Sequence, residues 1–423
     1  MCLDERRMRR AGATGTAVAA LAILWAGPVH AQGSPQEISS QGRPGFAPSV
    51  SLLGSIGSNL EYVPGDSTVA NYFAAAADLP FRLRSPRWSF DLHYRPTYQH
   101  YRDDSTLTSF DHAGSFALSG AFSRRTHLVV EGDAYVSDEL RGLDATDVVL
   151  PRTRQVRGEL DAMLQQQFSA RDTLALRGRY ERVGFPDGQL TDSNTVDLFA
   201  EYDRALSPHT TALLSAGGRL AAFDNGRRAR STSIAAGGRF QVARTTHFEV
   251  EGGPLWIQED LGEGWSAVGP PGLTVLATLD HSIDRVALRL RAGRDMGTTS
   301  GLGQATLRDR VVSSIRWNSN RWNLLGLAGY ARNASVADDA SPIPSVKTLT
   351  ACGQGAMRVN SVLAVVGTVL YAHQIGELVD SRPVIDTFRV SLGIRLQANG
   401  LPMNSADSRF RFDSVARDAR AAC

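Results

Sequence analysis

The chain has 423 residues, of which 45 are lysine or arginine, 43 are aspartate or glutamate and 42% are hydrophobic. A formal net charge of +2 gives no basic domain of the kind that nucleic-acid binding usually requires, so no nucleic-acid partner is expected. The three cysteines, Cys2, Cys352 and Cys423, are too few and too widely spaced for a disulfide framework.

Residues 1–31 have the pattern of a secretory signal peptide. An apolar run from Ala17 to Ala26 follows a basic head of four arginines, Arg6, Arg7, Arg9 and Arg10. Val29-His30-Ala31 then offers small residues at the cleavage positions. A membrane-spanning helix needs about twenty apolar residues, which is more than this run supplies. We therefore expect a mature chain that begins near Gln32 and has 41 basic and 41 acidic residues.

Beyond the signal, apolar and polar residues alternate with the period of two that is typical of β-strands. Between Trp88 and Tyr98 every second residue is apolar or aromatic, and the residues between them, such as Asp91 and Arg95, are polar. Segments 156–165 and 286–292 follow the same rule. Such alternation fits either a transmembrane β-barrel or a soluble antiparallel sandwich.

The connections between these strands separate the two architectures. Eight tight polar turns occur at near-regular intervals: Ser85-Pro86, Arg124-Arg125, Ala170-Arg171, Ser207-Pro208, Arg244-Thr245, Ile283-Asp284, Ser319-Asn320 and Val359-Asn360. Longer connections alternate with them, at 137–153, 185–194, 224–231, 258–272, 296–306, 333–345 and 374–385. This alternation is typical of outer-membrane barrels, in which short turns face the periplasm and longer loops face outward.

The sequence therefore predicts an all-β protein, a transmembrane antiparallel up-and-down β-barrel of about eighteen strands with short periplasmic turns and longer extracellular loops. The predicted barrel covers residues 49–397. Residues 32–48 form a short periplasmic N-terminal segment and residues 398–423 a polar periplasmic tail. The expected location is the outer membrane of a Gram-negative bacterium, reached with the barrel-assembly machinery. Aromatic residues near strand ends are expected to form a girdle against the lipid: Trp88, Tyr98, Trp256, Trp322 and Tyr330.

If the apolar face of each strand contacts lipid, the charged face lines the lumen. The predicted pore-lining residues are Asp91, Arg95, Arg157, Glu159, Asp161, Arg177, Arg179, Glu181, Asp197, Glu201, Asp203, Arg289 and Arg291. Opposite charges on neighbouring strands are expected to pair across the wall. At sixteen to eighteen strands a barrel keeps an aqueous channel, so a pore is the expected outcome.

The sequence does not indicate an enzyme. It has no nucleophile elbow, zinc-spaced histidine set or phosphate loop, and it predicts no metal and no cofactor. Asp111-His112 is the one acid–histidine neighbour of interest, and a solvated turn is the simpler explanation for it.

In its topology and size, the chain resembles the stand-alone porin-like barrels that are associated with bacterial exopolysaccharide secretion systems. The resemblance implies an exit pore for a secreted polysaccharide, with a periplasmic polysaccharide export protein and an inner-membrane copolymerase as partners. A diffusion porin for small hydrophilic or anionic solutes is the alternative, and a surface adhesin or an outer-membrane hydrolase is a weaker one. Such porins usually carry an inward-folded loop that constricts the channel. Only moderate loops, near 138–153 and 258–272, are evident here, which favours a polymer.

Overall fold

The computed structural model describes residues 45–102, 104–138, 148–149, 152–188, 190–262, 264–268, 271–299, 301–336, 345–377 and 383–398. The predicted signal peptide, most of the predicted N-terminal segment and the predicted tail beyond Ala398 lie outside these residues.

Eighteen long strands form one antiparallel sheet. In chain order they are β1 Ser49–Ser58, β2 Val69–Arg84, β3 Trp88–Tyr101, β4 Ser109–Ala121, β5 Thr126–Ser137, β6 Gln155–Gln167, β7 Asp172–Gly184, β8 Ser193–Ser207, β9 Thr210–Phe223, β10 Arg228–Ala243, β11 Thr246–Asp260, β12 Gly272–Ile283, β13 Val286–Thr299, β14 Gln304–Asn318, β15 Trp322–Ser335, β16 Ser345–Arg358, β17 Leu363–Glu377 and β18 Val384–Gln397. Two short strands, Gly45–Phe46 and Trp265–Ala267, pair with β2 and β11 respectively.

The sheet closes on itself because the first strand pairs with the last. Ser49 of β1 lies opposite Gln397 of β18, and Ser58 lies opposite Phe388. Every other long strand pairs with its two neighbours in the chain. Closure leaves no unpaired sheet edge, so the backbone N–H and C=O groups of the wall are satisfied without water. The predicted eighteen-stranded up-and-down barrel is confirmed.

Short and long connections alternate around the barrel as predicted. One end, here called the turn end, carries tight turns at 85–87, 122–125, 168–171, 208–209, 244–245, 284–285, 319–321 and 359–362. The opposite loop end carries the connections 59–68, 102–108, 138–154, 185–192, 224–227, 261–271, 300–303, 336–344 and 378–383. The predicted loops 224–231 and 296–306 are wrong in extent, since the strands continue until only four residues remain. A β-ladder satisfies its backbone groups whatever its side chains, so polar residues such as Arg228 and Arg230 still belong to strands.

Burial in the barrel is inverted relative to a soluble protein. Outward positions carry exposed apolar side chains, such as Leu198 at 64% and Leu392 at 66% exposure. Inward positions bury polar ones, including Ser51, Asp111 and Thr348, each 1% exposed or less. The alternation of the sequence thus separates an apolar outer surface from a polar interior.

Paired glycines let strands of the wall approach closely. A Cβ atom on Gly237 of β10 would lie 2.0 Å from the carbonyl oxygen of Val250 in β11. One on Gly253 of β11 would lie 2.0 Å from the carbonyl oxygen of Ile234 in β10. No side chain fits at either position, so these two glycines are required by the curvature of the wall between β10 and β11.

Within the described residues, the one helix is the three-residue 3-10 turn Ser105–Leu107, and none is long and apolar enough to cross a membrane.

Candidate functional site

The strongest cluster of lumen charges lies on β6 and β7. The guanidinium of Arg157 is 2.9 Å from the carboxylate of Glu181 and 3.5 Å from that of Glu159. Arg179 reaches the same two carboxylates, at 3.0 Å from Glu159 and 3.2 Å from Glu181. The side chains of Arg157 and Glu159 are 9% and 4% exposed. Two arginines and two glutamates therefore neutralise one another in a network that is largely shielded from solvent.

Two further pairs extend this network along the wall. Arg177 of β7 lies 2.6 Å from Asp161 of β6, and Arg219 of β9 lies 2.5 Å from Asp197 of β8. Arg219 also donates a hydrogen bond to the backbone carbonyl of Met296 in β13. Because β9 and β13 are not neighbours in the sheet, this contact passes through the interior of the barrel. The contact places Arg219, and with it Asp197, on the lumen face.

A more acidic cluster lies nearer the turn end, on β8 to β11. Arg239 is within ion-pair distance of three carboxylates, at 2.6 Å from Glu249, 3.2 Å from Asp203 and 3.6 Å from Glu201. Glu251 accepts a hydrogen bond of 3.1 Å from the hydroxyl of Ser215 on β9. One arginine thus balances several carboxylates, so this part of the lumen wall has an excess of negative charge.

The remaining wall carries shorter pairs across single hairpins. Arg289 of β13 lies 2.5 Å from Asp280 of β12, and Arg291, on the same face, lies opposite Thr278. Across the turn at 85–87, Arg82 of β2 lies 2.5 Å from Asp91 of β3. Arg95 of β3 lies 3.6 Å from Asp78 of β2.

All thirteen predicted pore-lining residues occupy inward positions of the strand register. The charged partners of these residues include several that were missed, namely Asp78, Arg82, Arg219, Arg239 and Asp280. The sequence does carry a signal for some of these partners. Once Ser85-Pro86 fixes the turn, Arg82 and Asp91 must stand opposite each other, and the turn at 284–285 aligns Asp280 with Arg289 in the same way.

The loop end of the barrel is narrowed by a hairpin that folds inward. The tip of the β13–β14 hairpin bonds across to other loops: Gly301 and Thr191 exchange two backbone hydrogen bonds of 3.0 Å. The side chain of Asn225 donates to the carbonyl of Gly303 at 3.0 Å. The buried side chain of Met296 packs in one cluster with Ala229 of β10. The hairpin therefore crosses part of the lumen instead of extending the wall.

Val148 and Val149, here called the mouth segment, bridge two sides of the same opening. Val148 packs against Val183 and Phe185 on the β7 side. Val149, 2% exposed, belongs to a cluster with Tyr62, Ala372 and Ile385 on the side of β17 and β18. The side chain of Gln374 holds the backbone of Val149 from both directions, accepting from its N–H at 2.5 Å and donating to its carbonyl at 2.8 Å. The expectation that no element constricts the channel is therefore wrong.

Arg152 anchors the chain that follows the mouth segment. Its guanidinium donates to the carbonyl of Leu107 at 2.5 Å and lies 5.1 Å from the centre of the Tyr101 ring. Leu107 ends the 3-10 turn that Asp104 caps, with hydrogen bonds from the backbone N–H and hydroxyl of Thr106 at 2.8 and 2.6 Å. These bonds favour the carboxylate form and hold the pKa of Asp104 below its usual value. The turn stays capped at neutral pH and loses this support only in acid, as pH falls through that lowered pKa.

The molecule is a closed barrel with an apolar exterior and a charged interior. In water such an exterior would be a continuous apolar surface, which soluble monomers do not expose, whereas lipid solvates it. The chain is an outer-membrane β-barrel. Four of the predicted girdle residues, Tyr98, Trp256, Trp322 and Tyr330, are 41–43% exposed on its outer face. Trp88, the fifth, is half-buried at the turn end against Phe122, with ring centres 5.2 Å apart.

No family model matches the barrel, and no curated protein matches it. Solved structures with a similar fold include Pseudomonas aeruginosa OccK2 (OpdF) in complex with glucuronate, at 11% identity over 84% of this chain and 98% of that chain, with a TM-score of 0.42. The siderophore receptor PirA from Pseudomonas aeruginosa is 11% identical over 84% and 81%, with a TM-score of 0.39. A bacterial polysaccharide outer membrane secretin is 10% identical over 83% and 98%, with a TM-score of 0.34.

Asp111 and His112 cannot act together in this barrel. Asp111 is 1% exposed on the lumen face of β4 and accepts from the side chain of Gln99 at 3.3 Å. His112 is on the outer face, with its Nδ1 atom 2.7 Å from the hydroxyl of Tyr94. Adjacent strand residues point to opposite faces, so the side chains of Asp111 and His112 do not pair with each other. Among the described residues, no group of three or more histidine, cysteine or acidic side chains could hold a metal ion.

Cys352 is on the lumen face of β16, 9% exposed, opposite Leu327 and Leu370. Cys352 is disulfide-bonded. The register of β15 and β17 gives Cys352 this inward orientation.

The lipid-facing surface of the barrel can be tested at Leu198. Arginine at this outward position of β8 is expected to lower the free energy of unfolding by about 2–4 kcal/mol, since a charge near the bilayer midplane loses its hydration. The matched control is Phe199→Arg, one residue along on the lumen face between Asp197 and Glu201, which should be tolerated. Urea unfolding in lipid vesicles measures both variants, and equal destabilisation would mean that the two faces are assigned incorrectly.

Proposed function

We propose that the barrel is an outer-membrane channel for a hydrophilic substrate, and that the substrate is a secreted polysaccharide. The observation that carries this proposal is the lumen wall, which is lined by ion-paired arginine and carboxylate side chains. A barrel of eighteen strands leaves aqueous space between its walls. A hydrated sugar chain can exchange hydrogen bonds with such a wall without contacting an apolar surface.

The narrowed mouth of the barrel fits export as well as diffusion. Here the mouth segment and the inward hairpin contact several walls at the loop end and narrow the lumen there. In a secretion system, a periplasmic polysaccharide export protein and an inner-membrane copolymerase would deliver polymer to the narrowed barrel from the periplasmic side.

Diffusion of small charged solutes is the second candidate, and a specific observation favours it. The wall combines neutralised pairs on β6 and β7 with an acidic cluster around Arg239, which suits a solute that carries charge. The two candidates differ in how the narrowed mouth opens. In export it opens when polymer arrives, whereas in diffusion it opens spontaneously.

The proposal predicts that a strain without this gene loses its extracellular polysaccharide. Polymer should be measured by dye binding and by sugar analysis of the extracellular fraction, in the deletion strain and in strains complemented with two versions of the gene. The intact gene should restore polymer, and a gene that lacks β17 and β18 should not, because the barrel cannot close. Unchanged polymer in the deletion strain would reject export and leave solute uptake as the remaining candidate.

A further inference from the structure

We propose that the turn end of the lumen is an entrance site for a polyanion, an acidic polysaccharide chain that approaches the barrel from the periplasm. The inference rests on the channel proposed above and names the chemical class of its substrate. Five arginines that occupy one repeated structural position carry it. These entrance arginines are Arg87, Arg125, Arg171, Arg285 and Arg321.

Each entrance arginine is the last residue of its turn, and its carbonyl continues the β-ladder into the turn. Each of these carbonyl oxygens accepts a hydrogen bond of 2.7–3.1 Å from a backbone N–H at the end of a neighbouring strand. For example, the N–H of Gln167 donates to the carbonyl of Arg125, and the N–H of Arg358 donates to that of Arg321. The same position is filled in the other three turns by His209, Thr245 and Val362, with the same hydrogen bond. Because the backbone geometry repeats, the five guanidinium groups are spaced around the rim of the barrel.

The period-two alternation of the strands assigns the entrance arginines to the lumen side of this rim. Each stands two residues before the first inward residue of its strand, as Arg125 stands before His127 and Arg321 before Asn323. The ladder continues through these positions, so the period-two alternation continues as well. Their outward neighbours include Trp88, Val286 and Trp322, which face lipid.

The turn end also carries a strong excess of positive charge. The eight turns together contain seven arginines and one acidic residue, Asp284. Six of the seven arginines are exposed, and Arg87 is half-buried. Farther into the lumen, carboxylates pair with most of the arginines, and around Arg239 the carboxylates are in excess. A ring of positive charge at the edge of a low-dielectric wall attracts anions and raises their local concentration.

Guanidinium groups at such a position suit a polymer that bears carboxylate, sulfate or phosphate groups. Arginine binds these groups through two parallel hydrogen bonds and keeps its charge at any physiological pH. A chain with an anion on each repeating unit can contact several entrance arginines at once. The phosphates of membrane lipids fit less well, because they lie outside the wall while the entrance arginines occupy inward positions. Asp172, the outward neighbour of Arg171, would also repel them.

Binding of a labelled oligogalacturonate to the purified full-length barrel tests the proposal. The barrel is placed in nanodiscs of zwitterionic phosphatidylcholine, and fluorescence anisotropy is recorded at low and at high salt. We expect binding that weakens with salt and that unlabelled oligogalacturonate reverses, whereas neutral dextran does not. Replacing the five entrance arginines by glutamine should weaken binding by about tenfold or more.

The matched control removes five exposed arginines from the loop end, and its affinity should stay within about twofold of the unchanged barrel. The control substitutions to glutamine are at Arg102, Arg154, Arg182, Arg228 and Arg332. Heat-dependent migration in gels checks that both variants fold. Equal losses in the two variants, or no loss in the entrance variant, would overturn the proposal.

Further outcomes distinguish the polyanion entrance from a lipid-binding site and from the export proposal. If the entrance variant binds oligogalacturonate normally but no longer retains phosphatidylglycerol, the arginines anchor lipid headgroups and the proposal fails. If the deletion strain keeps its extracellular polysaccharide while the purified barrel still binds oligogalacturonate through the entrance arginines, export fails and the polyanion entrance stands. Loss of polymer in the deletion strain together with unchanged binding in the entrance variant would reject the entrance alone.

Discussion

Replacing Gln374 by leucine is expected to raise the open probability of the purified barrel by about 30-fold in planar-bilayer recordings. Gln374 makes two hydrogen bonds to the backbone of Val149, and each contributes about 1 kcal/mol to the closed mouth. Leucine keeps the size of the side chain but leaves the N–H and carbonyl of Val149 without partners in the closed state. The equilibrium should therefore shift toward a state in which the mouth segment has left Gln374 and is hydrated.

The control for this prediction is Gln354→Leu, which changes another inward glutamine on the wall of β16 that does not contact the mouth segment. It should leave the open probability unchanged within about twofold. A second variant, Tyr62→Ala, removes an apolar contact of Val149 and should open the mouth by a different route. If both mouth variants conduct like the unchanged barrel, the mouth segment does not control passage.

The strand count and the turns could be predicted because each tight turn is a local event. Ser85-Pro86 and Ser319-Asn320 reverse the chain through residues that favour turns, whatever surrounds them. Strand ends at the loop end are different. Arg228 and Arg230 belong to β10 because its ladder with β11 continues to Asp260, and ladder formation does not depend on an apolar side chain. The change in polarity marks the limit of the apolar belt, and the strand extends beyond it.

The charged wall could be predicted in part, and the narrowed mouth could not. The period-two alternation assigns Asp91 and Arg157 to the lumen face of their strands. Counting residues back from a tight turn then identifies the residue opposite on the neighbouring strand, as it does Arg82 for Asp91. Contacts such as Arg219 with Met296, or Val149 with Gln374, join segments that are 77 and 225 residues apart in sequence. Such contacts depend on how the barrel curves and on where a loop folds, which alternation does not encode. The available signal was the apolar run Val148-Val149-Leu150, the longest in this loop.

Removing Arg219 should have the largest effect on the stability of the barrel. Its guanidinium forms two bonds to Asp197, Nε to Oδ1 at 2.5 Å and Nη2 to Oδ2 at 2.8 Å, and also binds the carbonyl of Met296. The side chain of Asp197 is 4% exposed. Arg219→Met leaves this buried carboxylate without its main partner, which costs about 3–5 kcal/mol. It also removes a bond that ties the inward hairpin to the opposite wall.

Urea unfolding in lipid vesicles, followed by tryptophan fluorescence, measures the loss. The exposed pair Arg204–Asp172, 3.9 Å apart with the arginine side chain 61% exposed, supplies the control, and Arg204→Met should cost about 1 kcal/mol or less. The double variant Arg219→Met with Asp197→Leu should recover most of the stability, because no buried charge is left unpaired. If the double variant is no more stable than Arg219→Met, the arginine stabilises the barrel through its packing and its bond to Met296. The charges of the lumen wall would then be retained for the passing substrate more than for the fold.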